Sequence, residues 1–221
     1  MDILLDPVEA RILGALLEKE MTTPDYYPLT LNALASACNQ KSNRLPVMSL
    51  DEDTLTRAID TLKKKQMIWQ VRMAGSRALK YEHNMKRFED ISKREAAILC
   101  VLLLRGPQTV GEIRTRCGRM YEFNGLSEVE RSINNLMERE EGAFTVKLPL
   151  SPGHKEFRYT HLLCGEVNID EEQDAPVYST EPLEIRYQDS NITELEQRVV
   201  NLETELDSLK IQFAEFIKQF E

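Results

Sequence analysis

Glu9-Ala-Arg-Ile-Leu-Gly-Ala-Leu-Leu17 and Glu95-Ala-Ala-Ile-Leu-Cys-Val-Leu-Leu103 spell one phrase twice, E-A-x-I-L-x-x-L-L, 86 positions apart. Its apolar residues fall at helical spacing, so each copy reads as a helix with a buried stripe. The repetition continues outward. Thr30-Leu31…Leu34…Cys38 matches Thr109-Val110…Ile113…Cys117, and Leu55-x-Arg57-x-Ile59-x-x-Leu62 matches Val129-x-Arg131-x-Ile133-x-x-Leu136. Leu79-Lys-Tyr-Glu-His83 matches Phe157-Arg-Tyr-Thr-His161. Four blocks in one order, with small changes of spacing between them, indicate duplication of a whole unit whose loops differ in length.

Local signals fill in the unit. Asp6-Pro7 reads as an N-cap followed by proline at the first helical position. Pro24 and Pro28 end that helix. Thr30 caps a short second helix, and Asn39-Gln-Lys-Ser-Asn-Arg-Leu-Pro46 is a polar loop. Ser49-Leu-Asp-Glu52 reads as a capping box that opens a third helix with Leu55, Ile59 and Leu62 buried. Ile68–Met73 and Arg77–Tyr81 then read as strands around the turn Ala74-Gly75-Ser76. The second unit follows the same order, with helices predicted over Ser92–Leu104, Thr109–Arg116 and Ser127–Arg139 and a hairpin from Phe144 to Leu163. Three helices and a hairpin form the sequence of a winged-helix domain. The expected fold is therefore mainly α with small β-hairpins (α+β): winged-helix domains at 1–88 and 89–165, an acidic linker at 166–189 and a coiled-coil helix at 190–221.

The tail carries its own pattern. Ile192, Leu195, Val199, Leu202, Leu206, Leu209, Phe213, Phe216 and Phe220 recur at alternating steps of three and four, the seam of a coiled coil about 43 Å long. With Ile192 at position a, Arg198 faces Glu203 and Glu205 faces Lys210 across a parallel dimer.

Composition narrows the function. The chain has 221 residues and a formal charge of −9, but the charge is uneven. Residues 1–88 carry 13 basic and 11 acidic side chains, residues 89–164 carry 11 of each, and residues 165–221 carry 4 and 15. The two repeats are thus near neutral and the tail holds the acidity. No apolar run reaches 18 residues and Met1–Asp6 lacks the pattern of a signal peptide. The four cysteines, Cys38, Cys100, Cys117 and Cys164, have no C-x-x-C spacing. A cytoplasmic protein with reduced thiols and no membrane span is expected.

Leu17–Leu34, Ala37–Arg44 and Pro46–Met48 resemble the YceH-like family of bacterial proteins over a long, specific motif, and the similarity extends to both repeats and the tail. The resemblance implies a tandem winged-helix fold in a bacterial cytoplasmic protein. It implies no activity and supplies no catalytic residues. More loosely, the architecture is similar to paired winged-helix proteins that bind other proteins during chromosome condensation.

Residue by residue, no nucleophile elbow, phosphate loop, zinc-protease or dinucleotide motif occurs, so no enzyme and no cofactor is expected. Cys38 with His83 and Cys117 with His161 give two ligand types per repeat, short of a zinc set. Two kinds of partner remain. A DNA-binding reading rests on Gln40, Lys41, Asn43 and Arg44 before the third helix, Arg57, Lys63 and Lys64 on it, and Arg72, Arg77 and Lys80 on the hairpin. Against it, the helices expected to enter a groove open with Asp51, Glu52 and Asp53 and with Glu128 and Glu130, which phosphates repel. A protein-binding scaffold is the alternative, with Tyr26, Tyr27, Met48 and Trp69 as candidate exposed anchors. The heptad seam predicts a parallel homodimer. A chain ending at residue 189 is expected to be monomeric by light scattering where the full chain is dimeric; an unchanged mass would refute the pairing.

Overall fold

The computed structural model describes residues 4–72, 78–85, 91–139, 142–150, 153 and 155–165. The hairpin turn at 74–76, Arg77, the acidic linker and every seam residue, Ile192, Leu195, Val199, Leu202, Leu206, Leu209, Phe213 and Phe216 included, lie outside them.

The described residues form six α-helices and two three-stranded antiparallel sheets. In the first half, α1 (Pro7–Thr22) is followed by a 3-10 turn, β1 (Leu29–Thr30), α2 (Leu31–Cys38), α3 (Glu52–Lys64), β2 (Ile68–Arg72) and β3 (Leu79–His83). The second half repeats the order with α4 (Lys93–Arg105), β4 (Gln108–Thr109), α5 (Val110–Cys117), α6 (Leu126–Met137), β5 (Thr145–Lys147) and β6 (Arg158–His161). Strand order is β1-β3-β2 in one sheet and β4-β6-β5 in the other. Register is duplicated too: Leu29 pairs Tyr81 as Gln108 pairs Tyr159, and Thr30 pairs Lys80 as Thr109 pairs Arg158.

The local chemistry accounts for the ends. Asp6 accepts from the backbone N–H of Val8 and Glu9, and Glu9 bonds back to Asp6 N–H at 2.8 Å. Ser92 and Glu95 make the same reciprocal cap. The leading glutamate of the repeated phrase therefore closes a capping box in both copies. Each also reaches the third helix of its own half or the residue that caps it: Glu9 accepts from Lys65 at 2.5 Å and Glu95 from Asn135 at 3.3 Å. Thr30 and Thr109 cap α2 and α5.

The structure departs from the sequence reading at several points, among them the end of β3, at His83 in place of Tyr81. The third helix is capped by Asp51, whose Oδ1 accepts from Thr54 N–H at 2.7 Å, and not by Ser49. Leu50 bonds through both backbone groups to the Asn39 amide, which commits the chain before residue 51 to the loop. α6 begins at Leu126 after Gly125. β1 and β4 are two-residue strands created by pairing with β3 and β6; so short a stretch has no periodicity to read.

The halves share one core. Ile12, Leu13, Leu16 and Leu17 of α1 and Ile98, Leu99, Leu102 and Leu103 of α4 are buried in the same apolar cluster as Leu34, Leu55, Ile59, Ile113, Val129 and Ile133. α1 and α4 meet where Gly14 lies. A Cβ there would stand 2.9 Å from Leu104 Cδ2 and 3.0 Å from Leu103 Cβ, and the Cys100 thiol reaches the Gly14 carbonyl at 3.4 Å. Leu5 N–H to the Leu163 carbonyl (2.7 Å) and Leu45 N–H to the Leu104 carbonyl (2.8 Å) tie the halves at two further points. One cooperative unfolding transition is expected in urea, with two separate transitions as the contrary result. Gly14→Leu is expected to lower stability by about 2 kcal/mol, because overpacking outweighs the gain in helix propensity.

Candidate nucleic-acid interface

α3 buries Leu55, Ala58, Ile59 and Leu62 and so turns Asp53, Thr56, Arg57, Asp60 and Lys64 outward. Charge is sorted along its axis, with Asp51, Glu52 and Asp53 at the start and Lys63 and Lys64 at the end, each where the helix dipole favours it. At the basic end Lys63 hydrogen-bonds Asp60 at 3.3 Å and Gln70 on β2 at 3.0 Å. Register divides the hairpin into two faces. Ile68, Gln70 and Arg72 share one with Leu79, Tyr81 and His83; Trp69 and Val71 share the other with Lys80 and Glu82. Lys63 thus joins the end of α3 to the strand face that carries Gln70 and Arg72, Lys64 and Arg72 are each exposed, and Arg57 lies two turns before Lys64 on the same helix stripe. Lys80 falls on the opposite face of the hairpin.

The loop before α3 has a different use. Arg44, expected as a phosphate contact, has a fully buried side chain. Its guanidinium donates to the carbonyls of Ala37 (2.9 and 3.1 Å) and Asn43 (2.9 Å). It also clamps Glu18 through both carboxylate oxygens, at 2.6 and 3.2 Å. No donor is left to face a phosphate, so Arg44 is withdrawn from the interface. Asn43, with φ 61°, accepts from Arg105 of α4; Lys41 and Ser42 beside it are exposed and Gln40 is half-buried. Arg11, buried in α1, donates to the carbonyls of Cys38 (3.2 Å) and Pro46 (2.6 Å). Burial, and then the neighbouring Arg44 charge, lower its pKa to about 10. Asn39, Arg11 and Arg44 make the polar loop a fixed frame.

Of the candidate anchors, Tyr26 is 77% exposed and Trp69 48%, whereas Met48 is buried and Tyr27 half-buried. The Tyr27 hydroxyl accepts from His83 N–H at 2.7 Å, which uses its polar end internally. The cysteine and histidine pairs are likewise absorbed. Burial pushes the Cys38 and Cys117 thiols up to about 12 and the His161 imidazole down to about 4. His83 Nε2 meets Glu20 at 2.7 Å and its Nδ1 accepts from Met85 N–H at 3.2 Å. Cys164 is exposed. Among the described residues no helix is long and apolar enough to cross a membrane, and no three ligand-bearing side chains cluster.

Sequence reasoning passed over the arginines of the second half, Arg105, Arg114, Arg116 and Arg119. Their signal was present as R-x-R-x-x-R across 114–119, in the block matching the apolar second helix of the first repeat.

Residues 5–154 match a family described as "Protein of unknown function, DUF480". The chain belongs to the DUF480 family. The YceH-like family that its motifs resemble is the same one. DUF480 relatives include a UPF0502 protein of Vibrio vulnificus (strain YJ016), 45% identical over 215 residues that span 96% of this chain and 94% of that one. A UPF0502 protein of Pelobacter propionicus is 45% identical over 221 residues, the whole of both chains. One from Citrifermentans bemidjiense is 54% identical over 171 residues, 77% of this chain and 79% of its own. The match to DUF480 covers both first helices, the Arg44 frame and α3.

Glu18 gives the frame a pH signature. Burial raises its carboxyl, but the Arg44 hydrogen bonds and charge, with Lys19, outweigh burial and hold it below the usual 4.5. Its contribution to stability is therefore present above about pH 4.5 and lost as pH falls through the lowered folded-state value. Arg44→Met is expected to cost about 3 kcal/mol near neutral pH by leaving Glu18 with only the longer Lys19 contact, and to flatten the acid limb of a stability-versus-pH curve. An exposed, phosphate-binding arginine would show neither effect in denaturant titrations.

Proposed function

We propose that this DUF480 protein is a non-enzymatic, cytoplasmic, DNA-binding protein of a regulatory kind, built from two winged-helix domains and dimerised by its tail. Helix, short strand, helix, helix and hairpin, with the third strand inserted as β1-β3-β2, support the winged-helix reading. The observation that carries DNA contact is the Lys63–Gln70 hydrogen bond. It joins the basic end of α3 to the strand face bearing Arg72, and Arg57, Lys64 and Arg72 are each exposed. The acidic start of α3 argues for backbone contact by the end of the helix and the hairpin, in place of insertion of the helix start into the major groove.

A scaffold reading is favoured by Tyr26 and Trp69, two large exposed aromatics in the first half, which suit a protein partner. A salt titration of binding to random genomic duplex, followed by fluorescence anisotropy, separates the two. DNA contact predicts affinity that falls steeply with salt. Lys64→Glu with Arg72→Glu is expected to weaken binding for every sequence and to reduce the salt slope by about 2, one for each lost phosphate contact. Absence of binding at low salt, or an unchanged slope in the double variant, would move the function to the aromatic surface.

A further inference from the structure

A cavity of about 270 Å³ opens where the two halves meet, walled by α1 and the polar loop on one side and by α4 and α5 on the other. Small-molecule sites begin near this size, at about 300 Å³. Arg105, Arg116 and Arg119 line it, together with Thr22, Thr115 and Glu18.

The charge balance inside is positive. Glu18 is already taken, with both oxygens on Arg44 and Lys19 at 3.5 Å. Arg105 bonds the Asn43 amide oxygen, and neither it nor Arg119 has an ion pair among the described residues. Arg116 meets Glu112 at 3.3 Å, a half-exposed pair along one helix of the weak kind, and Glu112 is shared with Arg158 at 3.8 Å. Burial, and then the Arg116 charge, lower the Arg105 pKa. Thr22 and Thr115 donate their hydroxyl protons to the carbonyls of Glu18 and Gly111, at 2.7 and 3.0 Å. Their oxygens keep lone pairs for a donor on an incoming molecule.

We propose that this cavity binds a small hydroxylated oxyanion, a phosphate ester or a carboxylate, with its anionic end on Arg105, Arg116 and Arg119 and its hydroxyl groups on Thr22 and Thr115. Guanidinium forks match the oxygens of either anion. Because each wall belongs to a different half, the ligand bridges the repeats. It acts as an effector held by both halves, and its binding adds to folding stability by mass action.

Glycerol 3-phosphate and citrate, titrated separately into the full-length protein at constant ionic strength by calorimetry, test this. One of the two is expected to bind saturably and to raise the melting temperature; which one does so identifies the anion as phosphate or carboxylate. Arg119→Glu and Arg116→Glu should each weaken that binding at least about tenfold, the loss of one charge-assisted hydrogen bond. Arg119 is exposed, so its variant keeps the wild-type circular dichroism spectrum. Arg131→Glu, on the exposed face of α6, should bind as wild type does. No saturable binding of either probe, or equal affinity in the Arg116 and Arg119 variants, would overturn the site. Lys64→Glu with Arg72→Glu should leave the calorimetric result unchanged, so failure here and failure of DNA binding are read apart.

Discussion

The approach of α1 to α4 at Gly14 is the contact on which the rest depends. Side chains on two ordinary helices keep the axes 8–10 Å apart. Here one helix contributes no side chain at the crossing, and Leu103 and Leu104 of the other occupy the space. The repeated phrase thus packs on its own copy. Ile12, Leu13, Leu16 and Leu17 reach a common interior with Ile98, Leu99, Leu102 and Leu103, and neither half owns a complete core. Halves of roughly 80 residues bury limited area alone; merging them removes that weakness. It also brings the polar loop against the end of α4, where Asn43 and Leu45 are held.

That loop shows how a polar segment can be structural. Arg11 and Arg44 both spend their guanidinium groups on backbone carbonyls, and Asn39 spans eleven residues to hold Leu50. Buried backbone oxygens need donors, and an arginine supplies several from one rigid plane. The cost is two like charges close together in a buried place. Arg44 meets it by pairing with Glu18; Arg11 meets it only with carbonyl dipoles, and its Nε has no partner among the described residues.

The internal duplication, the helices and the hairpins were legible because they leave periodic traces: the matched blocks predicted corresponding buried stripes, and Leu55, Ile59 and Leu62 are buried as are Val129, Ile133 and Leu136. The two-residue strands were not legible, since they exist only through their partners. The candidate site was legible in part. Lys63, Lys64 and Arg72 were named from sequence; Lys63 bonds Gln70, and Lys64 and Arg72 are exposed. Arg44 was named for the wrong reason: charge in a polar loop predicts exposure, and nothing local announces that Ala37, Asn43 and Glu18 will converge on it. Lys65 follows Lys63 and Lys64 in the sequence but is spent on Glu9 and the Leu4 carbonyl. The inter-repeat arginines escaped because their meaning depends on how two halves face each other, which no pattern within either half encodes.

Gly14 and Cys100 occupy the same place in the repeated phrase, and they touch. Two separate identical chains meeting about a dyad would have to place the same residue on both sides of that point. Glycine twice would leave a hole, and a larger residue twice would collide. Joining the copies in one chain lifts that constraint. Each side of the axis can then diverge, so a protrusion can settle against a hollow at the very position where symmetry would forbid it.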